Sequence, residues 1–368
     1  MLDSLSISNF RLFRKLEIAR LGRVNLFSGK NGTGKSCLLE ALNIYFNNAN
    51  HLLLNDLIKS RNENVLSEKN DAELSGQEVP NDPIRHLFRG HLFPDRPEDG
   101  IRMGSLENPD RLKIYILPYM TEIVETGRLK YTPVTDPSLL NEDEQYSIYV
   151  VSDIHGEIKR FIPGEEKIGY AVPKRKLFSI RLTQYVSSQG LHYGEAAYLW
   201  DLVNLTELEK EVIHALNIIE PAISGIALIG NSEDRSGRLP VVRIEGTKER
   251  IPLKSLGDGA VRLFHIILAL VNAENSVLLL DEAENGLHWS VQDKLWRIVF
   301  LLAARLNVQV FATTHSKDCI EGFHGAWQVH PESGAFFRLD AHPTLGAKCT
   351  PYALRSLGNA LESRVEMR

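Results

Sequence analysis

Between Val24 and Phe46 a short apolar run, a glycine loop and an amphipathic stretch follow one another without a gap, and few folds accept that order. Val24–Phe27 reads as a buried strand. It leads straight into GKNGTGKS, Gly29–Ser36, which fits G-x-x-x-x-G-K-[ST]. Gly29, Gly32 and Gly34 let the backbone curl so that its N–H groups converge on an anion. Lys35 can reach further phosphate oxygens as a point charge, and Ser36 offers a hydroxyl to Mg2+. Cys37–Phe46 is apolar at helical spacing (Leu38, Leu39, Leu42, Tyr45, Phe46) and sets a helix amino terminus under the anion. Asn31, Gly32, Thr33, Gly34, Lys35, Ser36 and Cys37 are therefore the expected cradle for ATP phosphates.

A second constraint is VLLLDEAENGLH, Val277–His288. Four apolar residues stop abruptly at Asp281-Glu282, the pattern of a central strand with acids at its carboxyl edge. Ligands bind at that edge in an open α/β sheet. Adjacent carboxylates repel unless a cation or a reacting water uses them. Val308–Ala312 reads as another buried strand, ending in Thr313-Thr314-His315-Ser316, so His315 falls at the same edge. Ser290 is the expected N-cap of a helix over Val291–Leu306.

The remaining chain is less explicit. Ser4–Phe10 and Leu16–Ile18 suggest two short strands. Asn47–Gly104 is weakly patterned, and we expect short helices and loops there. Lys113–Leu117, Ser147–Ser152 and Leu177–Leu182 have strand character, implying an antiparallel β layer, which the turn Ser187–Gly190 closes. The run Lys174-Arg175-Lys176 reads as a solvated edge rather than a nucleic-acid site. Helices are expected over Tyr193–Leu202 and Glu207–Ile219, and strands at Gly225–Ile229 and Val241–Ile244. Pro252–Gly259 is a glycine turn opening onto the apolar helix Ala260–Val271. It is either a cap or a second anion site. Past His324 the pattern is mixed until a closing helix over Ala353–Val365.

Composition bounds the class. The 368 residues are 43% apolar and 24% charged with net charge −5, as for a soluble globular chain in which nucleic-acid contact would need a local basic patch. Cys37, Cys319 and Cys349 have no metal or disulfide spacing, so a reduced cytoplasmic setting without membrane contact is expected.

On Gly29–Ser36, Ser255–Gly259, Leu278–Glu282, Glu284–His288 and Thr313–Ser316 the chain resembles ABC-type ATPases of the SMC/RecF kind. It is similar to the ATPase domain of the overcoming-lysogenisation-defect (OLD) family. The resemblance covers Met1–Phe46 and about Leu253–Phe323, and is weak over Asn47–Thr183. It implies a P-loop NTPase of ABC-ATPase type, with a mixed central sheet, helices on both faces, an antiparallel β layer and a helical insertion. The implied division is residues 1–46 for the first strands and P-loop, and 47–185 for an insertion and β layer. A helical subdomain would follow at 186–222, a second lobe at 223–330 and a closing segment at 331–368.

The resemblance also implies roles. Lys35 and Ser36 hold phosphate and Mg2+, Asp281 binds the metal, Glu282 is the general base, and His315 contacts the γ-phosphate. Asn285, Gly286 and His288 form the D-loop. Ser255, Gly257, Asp258 and Gly259 form the signature, which reads ATP bound by the other protomer of a head-to-tail homodimer or higher even-numbered oligomer. The glutamine that completes the metal shell is Gln189 or Gln184. The signature here is SLGDG rather than LSGGQ. OLD proteins add a nuclease module; about forty-five residues follow Phe323, without an acidic D-x-D pair, so none is expected in this chain. The implied function is an ATP-hydrolysing sensor subunit of an anti-phage complex controlling a separately encoded effector. Alternatives are a RecF-like DNA clamp and a non-hydrolysing scaffold held shut by ATP.

Overall fold

A computed structural model describes residues 1–63, 83–123, 129–134, 147–161, 183–230, 238–363 and 365–367. In chain order the strands are β1 Leu5–Phe10, β2 Phe13–Ile18, β3 Val24–Ser28, β4 Ile101–Gly104, β5 Leu112–Ile123, β6 Leu129–Pro133, β7 Ser147–Ile154 and β8 Glu157–Phe161. They continue as β9 Thr183–Val186, β10 Ile223–Gly230, β11 Arg238–Ile244, β12 Arg250–Pro252, β13 Val277–Leu280, β14 Gln309–Thr313, β15 Gly334–His342 and β16 Gly346–Tyr352. The helices are α1 Lys35–Phe46, α2 His51–Ser60, α3 Tyr193–Val203, α4 Glu207–Leu216, α5 Asp258–Val271, α6 Trp289–Arg305, α7 Lys317–Val329 and α8 Leu354–Glu362.

The central sheet has the order β16-β15-β3-β14-β13-β9. Its neighbours pair in parallel from β9 to β15, and only β16 runs antiparallel. Every residue of β3, β13 and β14 is buried, as expected of parallel strands covered on both faces. Alternation along each strand sends side chains to two cores. Leu26, Leu278, Leu280, Val310 and Ala312 join α5, α6 and α7 on one side. Phe27, Val277, Leu279 and Phe311 join α1, α2, β1 and β2 on the other. The fold is thus α/β with a mixed central sheet and helices on both faces.

The β layer is a seven-stranded antiparallel sheet, β2-β1-β4-β5-β7-β8 with β6 on β5. It takes in the first two strands of the chain. A separate three-stranded sheet, β10-β11-β12, packs beside α3. No described helix is long and apolar enough to cross a membrane.

Three expectations need correction. The N-cap of α6 is His288, whose Nδ1 accepts from the Ser290 amide, so Ser290 lies inside the first turn. The mixed tail holds β15 and β16, and β15 lies directly beside the P-loop strand β3. The turn Ser187–Gly190 follows β9, which belongs to the central sheet and not to the β layer. The short strand β12 was also not foreseen. Leu177–Leu182 and Lys174–Lys176 fall outside the described residues.

Candidate functional site

The carboxyl ends of β3, β13, β14 and β9 form one edge, and the candidate residues collect along it. Gly29 leaves β3 at φ +149°, where a Cβ would sit 2.3 Å from the Leu339 carbonyl oxygen. Gly34 adopts φ +100° against Leu12 and Phe13, so a side chain there would meet packed atoms. Lys35 folds back across the loop, and its Nζ donates to the carbonyls of Gly29 (2.6 Å) and Lys30 (3.0 Å). Burial lowers its pKa, while Asp281, Glu282 and Glu284 pull the other way. Lys30, Asn31 and Gly32 are exposed at the loop tip, Thr33, Gly34 and Cys37 are buried, and Ser36 is half-buried.

Across from the loop, Asp281 is buried and its Oδ1 accepts from Thr313 Oγ1 (2.5 Å) and Ser36 Oγ (3.4 Å). Glu282 stands in the left-handed region at φ +48°. Its amide donates to Thr313 Oγ1 (2.9 Å), and its side chain is partly exposed. The carboxylates therefore diverge. Asp281 turns inward toward Ser36, and Glu282 faces the open edge. A non-glycine residue with positive φ costs on the order of 1–3 kcal/mol, which the surrounding bonds must offset.

Arg262 on α5 supplies those bonds. Its guanidinium donates to the carbonyls of Ser187, of Asp281 (2.7 Å) and of Glu282 (2.9 Å), and the residue is 5% exposed. Burial pushes its pKa down to about 10, with Asp281 the strongest opposing charge. One turn on, His265 Nδ1 accepts from the Leu191 amide (3.2 Å), and Gly190 packs against the same ring. Together they hold the Ser187–Gly190 turn. Within it Gln189 is exposed at the sheet edge, whereas Gln184 lies in the body of β9.

Burial, followed by the Arg262 charge, lowers the His265 pKa from 6.5 to about 4. The imidazole is therefore neutral in the fold and takes up a proton more readily when unfolded. Its contribution is complete above the unfolded pKa and is lost as pH falls from 6.5 toward 4. The expected loss is up to about 3 kcal/mol. Urea denaturation at about pH 7 and about pH 5 should show this fall in the parent and a clearly smaller one in His265→Gln. Equal slopes would remove His265 as the cause.

His315 is half-exposed. Its amide donates to Glu284 Oε1 (2.9 Å), and its Nδ1 lies 3.2 Å from that atom and 3.8 Å from Glu282 Oε1. Asn285 Nδ2 donates to the Ser188 carbonyl (2.7 Å). Gly286 has φ +74°. His288 serves as the cap of α6. Ser255, Gly257 and Asp258 face solvent at the amino end of α5, with Gly257 at φ +100°. A Cβ on Gly259 would sit 2.9 Å from the Gly286 carbonyl oxygen, so the glycine turn and the Asn285–His288 loop share one surface. Among the described residues no group of three or more His, Cys, Asp or Glu forms a metal cluster. Ser36 and Asp281 instead offer the sparse oxygen set that suits Mg2+ bound largely by water and phosphate.

Sequence reasoning missed Arg262 and His265, and gave Glu284 and Thr313 no role of their own. A signal existed for the first two. They are the polar residues inside Ala260–Val271, an otherwise apolar helix, and a buried arginine there needs acceptors.

Residues 24–318 match the family model described as "AAA domain, putative AbiEii toxin, Type IV TA system". A Helicobacter pylori protein named "ATP/GTP phosphatase" is 25% identical over 338 residues, 87% of each chain. An uncharacterized protein of Methanocaldococcus jannaschii is 42% identical over 45 residues, 12% of this chain and 20% of that one. Among solved structures, an SMC head bound to the C-terminal winged-helix domain of ScpA is 10% identical with a TM-score of 0.49, covering 97% of this chain and 99% of that one. The SMC head domain from Thermotoga maritima is 13% identical with a TM-score of 0.43, covering 95% and 98%. With the family match spanning the P-loop, the acidic end of β13 and His315, the chain belongs to this AAA-domain family and is an AAA-family ATPase domain.

Proposed function

We propose that the chain hydrolyses ATP at two composite sites of a head-to-tail dimer. The observation carrying this is the split arrangement of anion-binding turns. One loop, Gly29–Ser36, closes over its own lysine beside Asp281 and Glu282. The other, Ser255–Gly259, opens to solvent at a helix amino terminus with a glycine at positive φ. A turn that opens to solvent at a helix amino terminus is free to take the γ-phosphate of a partner protomer.

In this reading Lys35 and the loop amides neutralise charge on the β- and γ-phosphates. Ser36 and Asp281, with Gln189 at the rim, would hold Mg2+, which would supply charge stabilisation there. Glu282 orients the attacking water and takes its proton. The water oxygen bonds to the γ-phosphorus as the bond to the bridging oxygen breaks, and ADP leaves with phosphate. His315, tied to Glu284, would report the γ-phosphate. From its likeness to OLD-type ATPases we assign the dimer as regulatory subunit of an anti-phage complex with a separately encoded effector.

Mixing two inactive variants tests the composite site. Glu282→Gln disables its own site, and Gly257→Glu blocks the partner's. Each alone should be nearly inert. A mixture should regain up to about a quarter of parental turnover, because half of the dimers would contain one intact site. If both variants are folded and their mixture stays inert, the shared site is wrong.

A further inference from the structure

We infer that Arg262 is the positioning residue that couples the glycine turn Gly257–Gly259 to Glu282 and to the turn carrying Gln189. The inference rests on the composite-site reading and adds the device that links its two halves within one protomer.

Three observations converge on it. The guanidinium is buried and bonds to carbonyls of two separate segments, Ser187 after β9 and Asp281 and Glu282 after β13. It takes no carboxylate, so both acids remain free for metal and water. Glu282 holds a backbone conformation that L-residues rarely adopt, and it is clamped by Arg262 at its carbonyl and by Thr313 at its amide. Arg262 itself stands one helical turn beyond the exposed Gly257-Asp258 end, on a helix whose other inward polar residue, His265, grips the same Ser187–Gly190 turn.

The physical consequence follows from stiffness. Helix α5 is packed on its apolar face throughout, so a small displacement at its amino end moves the guanidinium with it. The fork then carries the carbonyls of Glu282 and Ser187 along. A phosphate docking on the glycine turn thereby sets the angle of the general base and the position of Gln189. Lysine cannot reproduce this, because a single ammonium has no planar fork with which to hold carbonyls of two segments.

The test compares Arg262→Lys and Arg262→Ala with Glu282→Gln, using the full chain, a fluorescent ATP analogue and steady-state hydrolysis. Arg262→Lys should bind the analogue within about twofold of the parent and keep its KM. Its kcat should fall on the order of tenfold to a hundredfold, the usual cost of slight misplacement at a reacting centre. Guanidinium ion at millimolar concentration should restore part of the activity of Arg262→Ala if that variant folds. A brace without coupling gives the opposite split, with a lower Tm and weaker nucleotide binding but parental kcat in the folded fraction, and that result overturns the inference. If Glu282→Gln is dead while Arg262→Lys turns over at the parental rate, the inference alone fails. If Glu282→Gln itself hydrolyses ATP normally, the underlying reading fails first.

Discussion

Glu282→Gln should retain ATP binding and lose turnover by about 10²–10⁴-fold, the range attributed to one general acid–base group. Gln keeps the size and hydrogen-bonding ability of the side chain but cannot take a proton. It also keeps the backbone at φ +48°, since the Arg262 and Thr313 bonds are to main-chain atoms. The loss should therefore fall on kcat, with KM and Tm little changed. Phosphate release by the purified variant at saturating ATP, alongside analogue binding, measures both. Turnover at the parental rate would show that another group handles the water, with His315 the nearest candidate at 3.8 Å from Glu282 Oε1.

The largest stability effect is expected away from the acids, behind the P-loop helix. Glu40 on α1 is buried between two guanidiniums, 2.6 Å from Arg11 Nε and 2.7 Å from Arg61 Nε. Arg11 also reaches Glu63 at 2.7 Å, and Arg61 donates to Cys37 Sγ at 3.6 Å. Burial works against the Arg61 charge, but Glu40, Cys37 and Glu63 together outweigh it and the Arg61 pKa is raised. Glu40→Gln removes the central anion, leaving buried Arg11 with Glu63 alone and Arg61, 35% exposed, without the carboxylate it bonds. The expected cost is about 3–5 kcal/mol, the range for breaking a buried pair from one side. Urea denaturation would measure it. The double variant Glu40→Leu with Arg61→Met should recover much of the loss by replacing the charges with apolar volume. A loss under about 1 kcal/mol would place the network among solvent-screened surface pairs.

The sequence made the P-loop and the acid-tipped strand legible for a physical reason. A strand buried on both faces must be continuously apolar, so the first charged residue marks its end. Val277–Leu280 and Asp281 show this without any knowledge of neighbours. The glycine loop was equally plain, because its backbone path admits few residue types. β15 was not legible. Its residues follow neither strict alternation nor a full apolar run, with half-buried Arg338 and Asp340 between buried Phe336, Phe337 and Leu339. Its place was decided by β3, some three hundred residues earlier in the chain. The cap of α6 was misread because serine is the commoner capping residue, while an imidazole nitrogen can accept the same amide proton. Arg262 was hidden by the opposite bias. An apolar helix was read as core, although the cost of burying one guanidinium implied three waiting carbonyls.

The place of β15 has a consequence for how the chain is made. While the ribosome is still short of Phe337, β3 has β14 on one side and an open ladder on the other, and Gly29 lacks the Leu339 carbonyl against which it packs. The phosphate loop is read some three hundred residues before the strand that seats it. A nascent chain halted before that point presents a bare apolar strand edge, the kind of surface that chaperones cover and aggregates recruit. Competence to hold a nucleotide thus doubles as a mark that synthesis has passed β15.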